Sequence, residues 1–533
     1  MNTLDRWAVC RPATSGGVGI FSEGKIPELP YAAFAEDMRR LLLDETGSAA
    51  EGSRCVAYFA VPQGEADAGE GISGLTFYAL VARDETGDML AAKYVRDYHD
   101  EGELASLAAE IPALHVYERD IAERYGVRFV GTPWDKPLRY PFDRFRQRDR
   151  IDTYPFYSID GHELHEVHVG PVHAGIIEPG AFRFLCDGER IVHLEIALGY
   201  QHRGVEAGIT GTSHRLRQML LGETIAGDTV IGHGTALAGI LESGAGGEWE
   251  GNGLIRCERA VALEMERLAI HIGDTAALCM DLGYQTGHVA CEALRTLVIN
   301  AMQQWCGNRF GKGLVRPFGA NHRLTLERAK YIEATLAEVM ERYRMVGRDL
   351  LSTPSVLSRL EGICTVTRRQ ALQVGAVGPA ARMAGVARDA RRAFAFYPLE
   401  GFEPVMIDAE ADGMNGDLMA RLKMRLREAE VSYTMIGAGC KELAGRWFEA
   451  YPAPDYGQPL APEALVVSVT EGWRGEICHV ALTDRKGELR GYRIFDPSLH
   501  NWMMLALSVR GAQISDFPVS NKSFNLSYCG HDL

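Results

Sequence analysis

Hydrophobic and polar positions in the first 150 residues alternate over short distances, as in a domain of mixed strands and helices. Two hydrophobic runs of strand length, VAYFAV at 56–61 and LTFYALVA at 75–82, are interspersed with polar segments of helical pattern. Residues 134–152 are instead dense in Arg, Pro and aromatic side chains and keep no period, as in an extended connector. The pattern predicts a small α+β domain, residues 1–150, that ends in this connector.

A different pattern begins near residue 170. Residues 182–186 and 191–196 are two alternating runs joined by an Asp-Gly turn, which is typical of a β-hairpin. Apolar residues then recur every three or four positions, the period of an amphipathic helix, over three long segments: 257–281, 324–345 and 416–436. Further strand-like runs lie between 464 and 495. We therefore predict a second, mainly helical domain over 151–533 with small β elements, and an α+β fold class for the whole chain.

The charge balance excludes one large group of partners. The chain of 533 residues has 71 acidic and 56 basic side chains, which gives a formal net charge of −15. An acidic protein is repelled by nucleic-acid phosphates, so we expect no nucleic-acid partner. No stretch reaches the roughly 18 apolar residues of a membrane-spanning helix, and Asp5 and Arg6 interrupt the apolar run of a secretory signal. These features predict a cytoplasmic chain.

Neither the cysteines nor the histidines form a metal-binding motif. The 11 cysteines are scattered and none is spaced as Cys-x-x-Cys, so reduced, mostly buried thiols are expected. Four histidines lie close together in the sequence, His162, His165, His168 and His173, but no cysteine or acidic ligand accompanies them at a fixed spacing. We therefore predict no metal site in this chain.

Several motifs, in the same order along the chain, resemble those of one family. Residues 115–133, HVYERDIAERYGVRFVGTP, resemble the signature of the 30 kDa subunit (NADH dehydrogenase C) of NADH:quinone oxidoreductase, complex I. Later motifs resemble its 49 kDa subunit (NADH dehydrogenase D) and the related large subunit of group 4 nickel-iron hydrogenases: GPVH at 170–173, HRGVE at 202–206, EMER at 264–267, GAVGPAAR at 375–382 and DLMARL at 417–422. A fused C/D arrangement of the two is typical of the formate hydrogenlyase large subunit.

The resemblance implies the catalytic-type large subunit of a membrane-associated oxidoreductase complex. Such a chain docks on an iron–sulfur small subunit, similar to the one in complex I, and on membrane-arm subunits, and it couples electron transfer to proton or ion movement. It would lie peripherally on the cytoplasmic face of the membrane. The sequence contains no nicotinamide-binding fingerprint, so NADH or another donor would be oxidised elsewhere in the assembly. A noncatalytic scaffold subunit of the same assembly is the alternative.

Both cysteine pairs that hold nickel and iron in these hydrogenases are missing here. By resemblance, Ala226 and Thr229 stand at the first pair of ligand positions, and Ser527 and Gly530 stand at the second. Cys529 is out of register, and soft thiolates are the ligands that such a site requires. We therefore expect neither bound nickel nor hydrogenase activity.

The quinone-binding pair of the 49 kDa relatives is incomplete as well. His173 matches the first histidine of the quinone loop and is the candidate for cofactor binding. The second histidine is absent from residues 175–179, and Glu223 stands where the relatives have a tyrosine. Conventional quinone chemistry is therefore not expected, although quinone binding stays an alternative.

By resemblance, five polar residues are the catalytic candidates: Glu206, Glu223, Asp228, His233 and Arg474. Glu206 matches a glutamate that passes protons in the hydrogenases, and a carboxylate that faces an apolar cavity has the raised pKa which this task needs. Arg474 matches the basic residue above the metal site, and the other three would line the same cavity. The alternative is a set of structural salt bridges in a site that has lost its function.

The geometry of this cavity separates the two functions. A continuous cleft that joins Glu206, Glu223 and the face for the iron–sulfur subunit favours catalysis, whereas a cavity filled by Ile225 and Ile231 favours the scaffold. Two other charged groups are expected to be structural or to bind a neighbour. Arg382, Arg388 and Asp389 fit a buried ion-pair network. The five arginines among residues 139–150 are expected to lie against carboxylates of the large domain or of the small subunit, with a solvated linker as the alternative.

Overall fold

The computed structural model of the chain describes residues 6–12, 16–63, 74–97, 102–159, 161, 163–172, 178–246, 249, 252–394, 405 and 416–533. The N-terminal elements are β1 (Ala8–Cys10), β2 (Val18–Ser22), α1 (Tyr31–Leu42), β3 (Ser53–Gln63), β4 (Gly74–Arg83), β5 (Asp88–Asp97), β6 (Leu104–Ala105), α2 (His115–Tyr125) and β7 (Phe129–Val130). The central strands and helices are β8 (Leu164–Val169), β9 (Ala181–Asp187), β10 (Arg190–Ala197), α3 (Val205–Thr210), α4 (Arg215–Gly222), α5 (Val230–Leu241), α6 (Asn252–Asp281), α7 (Gln285–Cys306) and α8 (Leu326–Leu350).

The remaining elements are α9 (Pro354–Leu357), α10 (Arg368–Gln373), α11 (Pro379–Arg382), α12 (Ala390–Ala393), α13 (Leu418–Gly445), β11 (Ala464–Gly472), β12 (Gly475–Thr483), β13 (Leu489–Phe495), α14 (Ser498–Ser508), α15 (Phe517–Phe524) and α16 (Tyr528–Asp532). Short 3-10 turns lie at Glu23–Lys25, Pro112–Leu114, Ser243–Ala245 and Ile514–Asp516. The predicted α+β fold class is confirmed. None of the helices in the described part of the chain is both long and apolar enough to span a membrane.

The N-terminal sheet has the antiparallel order β1-β5-β4-β3. The predicted hydrophobic runs at 56–61 and 75–82 lie within β3 and β4, and every residue of the two runs is buried. Both faces of the sheet are covered, because α1 and α2 pack on it and its core also contains side chains of β11 and β12. A strand that is buried on both faces reads as a continuous apolar run instead of an alternating one.

A second sheet joins the two ends of the chain. Its order is β13-β12-β11-β2, and β2 pairs antiparallel with β11 so that Val18 lies opposite Ser468. One hydrophobic core contains both Phe59 and Val480, and therefore crosses the predicted boundary near residue 150. The division into residues 1–150 and 151–533 stays a prediction.

The long helices form the centre of the C-terminal region. The segments predicted at 257–281, 324–345 and 416–436 correspond to α6, α8 and α13, and α6 packs along α7 and α13. Local capping explains two of the starts: the side chain of Thr325 accepts a hydrogen bond from the amide of Arg328 at α8, and Asp417 accepts one from Ala420 at α13. The predicted hairpin is β9 and β10, which pair in a third sheet with β8.

Candidate functional site

The two segments that match the hydrogenase ligand positions meet inside the helical region. One nitrogen of Arg203, Nη2, lies 2.9 Å from the carbonyl oxygen of Ile225 and 3.1 Å from that of Cys529, so one guanidinium joins both segments. We call the four positions the ligand-position cluster: Ala226 and Thr229 in the turn between α4 and α5, and Ser527 and Gly530 at the start of α16. All four residues are buried.

Internal contacts occupy the cluster. The hydroxyl oxygen Oγ1 of Thr229 lies 3.1 Å from Nη1 of Arg474, which donates to it. Oγ of Ser527 accepts from the backbone amide of Gly530 at 2.8 Å and thereby caps α16. A Cβ at Gly530 would lie only 2.5 Å from Oδ2 of Asp496. The space and the hydrogen-bonding capacity of these positions are therefore used by the protein itself.

This donor set does not fit a nickel-iron centre. Such a centre needs thiolates, but burial raises the pKa of Cys529 to about 12, so its sulfur stays a protonated thiol at neutral pH. The guanidinium of Arg474 also brings a positive charge to Thr229, where a metal cation would have to bind. Among the described residues, no group of three or more His, Cys, Asp or Glu side chains is arranged to hold a metal ion.

Arg474 and Asp228 form a two-point ion pair beside the cluster. Nη1 and Nη2 of Arg474 each donate to one carboxylate oxygen of Asp228 at 2.7 Å. Trp473 fixes the turn from below, because its Nε1 donates to the carbonyl of Asp228 at 2.8 Å and its ring stacks on the guanidinium. Burial lowers the pKa of Arg474, but the charge of Asp228 outweighs burial and raises it. This pair holds the β11–β12 turn against the start of α5.

Glu223 lies at the end of α4 and is anchored to the loop after α7. Its Oε1 accepts from the amide of Gly313 at 2.8 Å and from Nη1 of Arg316 at 2.6 Å. Glu223, Asp228 and His233, which were expected to line one cavity, thus engage three separate sets of partners in the described part of the chain.

His233 belongs to a buried chain of hydrogen bonds. Its Nδ1 lies 3.0 Å from Nε2 of His479, whose Nδ1 lies 2.7 Å from the hydroxyl of Tyr492. Its Nε2 lies 3.1 Å from Oδ2 of Asp496, the carboxylate beside Gly530. Burial keeps the pKa of His479 well below its usual value, whereas hydrogen bonding and charge at His233 outweigh burial and hold the pKa of Asp496 at about 2. This series of hydrogen bonds has the connectivity of a proton relay from the cluster to β13.

Glu206 does not face an apolar cavity as expected. It lies on α3 and its carboxylate accepts from Nη2 of Arg124 at 2.7 Å, from Nη1 of Arg493 at 3.1 Å and from the amide of Ile494 at 2.9 Å. Burial raises the pKa of Glu206, but the two guanidinium charges outweigh burial, and the pKa is lowered. The expected raised pKa is therefore wrong, because Glu206 joins α3 to α2 and β13 as an ion-paired carboxylate.

A separate ion network lies between α6, α11, α13 and β11. Arg382 is fully buried and contacts the carboxylates of Glu428, Asp389 and Glu471 at 2.7, 3.2 and 2.9 Å. We call the following residues the core ion network: Glu264, Arg267, Arg382, Asp389, Arg391, Glu428 and Glu471. The buried pairing expected for Arg382 and Asp389 is present, whereas the side chain of Arg388 lies apart, 3.7 Å from Asp84.

A comparison with known protein families matches part of the C-terminal region. Residues 281–457 match the family described as "Respiratory-chain NADH dehydrogenase, 49 Kd subunit". The chain is also similar, over most of its length, to subunits of known complexes. It is 28% identical over 445 residues to formate hydrogenlyase subunit 5 of Escherichia coli (strain K12), a match that covers 80% of this chain and 76% of the relative.

Two further proteins are similar to this chain. The chain is 24% identical over 494 residues to the C/D subunit of the NADH-quinone oxidoreductase of Bacteroides thetaiotaomicron, covering 85% of this chain and 89% of the relative. Its fold is shared with a chain of the membrane-bound sulfane sulfur reductase, an archaeal respiratory membrane complex, with a TM-score of 0.60 and 23% identity over 71% of this chain and 100% of that chain. The predicted resemblance to fused C/D subunits and to hydrogenase large subunits is confirmed.

Four further residues, none of them named as a site candidate from the sequence, lie around these groups. Asp496 and His479 lie on either side of His233, and Tyr492 is the last group of this series of hydrogen bonds. Glu266, within the EMER motif, accepts from the first amides of α5 and lies near Asp228; burial raises its pKa to about 8. Their signals in the sequence are weak: His479 and Tyr492 lie in buried strands, Asp496 follows β13, and Glu266 lies within the EMER motif. The catalytic roles assigned from the sequence stay predictions.

The loop predicted to bind quinone lies partly outside the described residues. His173 lies outside the described residues, as does His162, whereas His165 and His168 are exposed on β8. Quinone binding at His173 therefore stays a prediction.

The arginine-rich connector divides into a buried and an exposed part. Arg139 is buried against the large region, where its Nε donates to the carbonyl of His531 at 2.8 Å and its Nη1 lies 3.4 Å from Asp120. Arg144 instead donates to carbonyl oxygens of its own segment, and the Arg148 side chain is 86% exposed. Docking of the exposed part on a small subunit stays a prediction.

Proposed function

We propose that this chain is the large subunit of a membrane-associated oxidoreductase complex of the complex I and energy-converting hydrogenase kind, and that it binds no nickel. Its relatives are subunits of membrane-bound hydrogenases and of NADH-quinone oxidoreductases. The observation that carries the proposal is the ligand-position cluster, where Thr229 and Ser527 have internal partners and Gly530 lies against Asp496.

In this proposal the chain receives electrons through a partner. An iron–sulfur small subunit and membrane-arm subunits are the expected partners, and the chain binds the cytoplasmic face of the membrane through them. The membrane-bound relatives support this arrangement. Any quinone would bind outside the ligand-position cluster, whose polar groups are already paired.

The chain's own contribution to ion coupling would be proton transfer. Asp496, His233, His479 and Tyr492 form a continuous buried path with separations of 2.7 to 3.1 Å. Heavy-atom distances in this range permit proton transfer between neighbouring groups. Glu206 would act differently, as an ionised group that fixes the end of this path, because Ile494 of the adjoining strand donates to it.

One observation favours the noncatalytic scaffold as a second candidate. Ile225 and Ile231 are fully buried, and two spaces near the cluster, one lined by Arg474 and one by Asp228, measure only about 10 and 20 Å³. A volume of this size holds about one water molecule and no substrate. The scaffold explanation would leave the hydrogen-bond chain as a structural element.

The test is turnover and metal content of the intact purified complex. We expect no stoichiometric nickel by elemental analysis, and oxidation of a candidate donor with a quinone or an artificial acceptor. Asp496→Asn keeps the size of the side chain but removes the carboxylate that would accept the proton, so it should slow turnover about tenfold or more if the path is used. The control is Glu430→Gln on the exposed surface.

Each result decides between the candidates. Near-stoichiometric nickel would overturn the central proposal. Full turnover by an assembled Asp496→Asn complex would exclude proton transfer along the path from Asp496 to Tyr492. An assembled complex that does not oxidise a donor would support the scaffold.

A further inference from the structure

A cavity of about 600 Å³ lies where the N-terminal region, the connector and the C-terminal region meet. We call it the junction cavity. Its walls come from α2, from residues 133–140 around the start of the connector, from β10 and from α14. Tyr157, Ile159 and Val192 line it and are also exposed to solvent, so they mark its mouth. Cavities of this size between domains are typical of small-molecule sites.

Two buried polar groups line the cavity without a partner. Among the described residues, Nδ1 of His115 and the hydroxyl of Tyr140 neither donate nor accept a hydrogen bond. The two residues are only 7% and 8% exposed. Buried polar atoms in proteins are nearly always paired, because an unpaired one costs about 1 to 3 kcal/mol. A bound molecule would supply the missing partners.

The charges that line the cavity favour an anion. Arg119, Lys136 and Arg510 are cationic, whereas Glu195 is the one carboxylate among the described lining residues. Lys136 and Glu195 form an ion pair with each other, which leaves the charges of Arg119 and Arg510 in excess. Arg119 stacks on Trp134 beside His115, so this excess charge lies next to one of the unpartnered groups.

Protonation makes both unpartnered groups suitable for a carboxylate. Burial raises the pKa of Tyr140, so its hydroxyl keeps its proton and donates. Burial lowers the pKa of His115 well below its usual value, so its ring is neutral and one tautomer donates from Nδ1. Two neutral donors beside a guanidinium match the two oxygens of one carboxylate.

The rest of the wall is apolar. It includes Leu198 after β10 and Leu499, Trp502, Ala506 and Leu507 on α14. We propose that the junction cavity binds an amphipathic carboxylate, with its head group near His115 and Tyr140 and its hydrocarbon chain along α14. This site is separate from the ligand-position cluster and does not depend on the proposed redox function.

The experiment uses ω-bromododecanoate with the full chain and, in parallel, with the intact complex. Bromine quenches nearby tryptophan fluorescence, and Trp134 and Trp502 line the cavity. We expect saturable quenching, about tenfold weaker binding of the neutral ω-bromododecanol, and loss of most of the signal in Trp502→Phe. Trp447→Phe is the matched control because that side chain is 67% exposed.

Two variants locate the head group and the hydrocarbon chain. Tyr140→Phe removes one hydroxyl and should weaken binding about fivefold, the effect of one hydrogen bond. Ala506→Phe should fill the apolar end and abolish saturable quenching, whereas Ala337→Phe on the exposed face of α8 should not. Thermal unfolding of each variant verifies that it is folded.

Several results would overturn the inference. Equal binding of the alcohol would exclude a carboxylate site, and stronger binding of decyl phosphate would assign a different head group. An unchanged affinity of Tyr140→Phe would exclude the head-group position. Binding to the full chain but not to the intact complex would show that a partner subunit fills the cavity.

Discussion

The ligand-position cluster and the junction cavity both contain buried polar side chains, yet their polar atoms are in opposite situations. In the cluster the hydroxyl of Ser527 caps a helix, and beside the cluster Arg474 is paired with Asp228. The two spaces near the cluster measure about 10 and 20 Å³. In the junction cavity about 600 Å³ stays open, and the hydroxyl of Tyr140 has no partner among the described residues.

This difference shows that the presence of polar side chains alone does not give a site the capacity to bind a ligand. A ligand that approaches a paired group must first replace the existing partner, so little free energy is gained. A ligand that approaches an unpaired buried group satisfies it without breaking another bond. Resemblance directs attention to the cluster, whereas the physical state of the polar atoms favours the junction cavity as a binding site.

The largest expected effect is on stability in the paired region. Arg382→Met keeps the volume of the side chain but leaves Glu428, Asp389 and Glu471 without their shared cation. Breaking a buried ion pair from one side costs about 3 to 5 kcal/mol, and denaturant unfolding should show a loss of this size. Arg344→Met, at an exposed pair with Glu430, should cost less than about 1 kcal/mol. Equal losses in the two variants would contradict the comparison.

The two regions should also respond to pH in opposite directions. The pKa of Asp496 is held at about 2, below its ordinary value, so its charged form stabilises the fold and this stabilisation is lost as the pH falls toward 2. Burial raises the pKa of Glu118, on the helix that lines the junction cavity, to about 7. Its protonated form therefore stabilises the fold at low pH, and this stabilisation is lost as the pH rises through 7.

Substitution isolates the contribution of each carboxyl group to the free energy of unfolding, which is about 2 to 3 kcal/mol for pKa shifts of this size. In denaturant titrations over a pH series, Asp496→Asn should flatten the acid side of the stability profile and Glu118→Gln the side between about pH 4 and 7. Profiles parallel to that of the unmodified protein would mean that neither carboxyl titrates as described.

A smaller effect tests the space at the ligand positions. Gly530→Ala places a Cβ 2.5 Å from Oδ2 of Asp496, so either α16 or that carboxylate must move. Overpacking of a buried site costs about 1 to 3 kcal/mol. Gly437→Ala is the matched control inside α13, where a Cβ meets nothing within 4 Å, and it should stabilise the protein by up to about 1 kcal/mol. Stabilisation by both alanines would show that the cluster has room for larger side chains.

Local patterns predicted the elements but not their partners. The helical periods at 257–281, 324–345 and 416–436 indicated α6, α8 and α13, because an amphipathic helix carries its period in its own residues. The ordered motifs identified the family and the four ligand positions. The pairing of β2 with β11 was not predicted, since it joins strands from opposite ends of the chain and leaves no local signal.

The same limit explains the error at Glu206. Its motif suggested a proton carrier in apolar surroundings, but Arg124 is 82 residues away in the sequence and Arg493 is 287 residues away. Resemblance identifies a residue by its neighbours in the sequence, whereas the pKa depends on charges that only the fold brings close. The junction cavity was missed for a related reason, because its walls come from four distant segments.

The smallest effect compares two buried tyrosines. The hydroxyl of Tyr492 lies 2.7 Å from Nδ1 of His479, whereas that of Tyr140 has no partner among the described residues. Tyr492→Phe leaves a buried ring nitrogen unpaired and should cost about 1 to 2 kcal/mol. Tyr140→Phe removes an unpaired polar atom, so in the ligand-free protein it should be neutral or stabilising by up to about 1 kcal/mol. The two rings are almost equally buried, so the change in apolar area is matched. Denaturant unfolding of both variants measures the difference directly. If Tyr140→Phe lost as much free energy of unfolding as Tyr492→Phe, the Tyr140 hydroxyl would already be paired. There would then be no reason to place a ligand head group beside it.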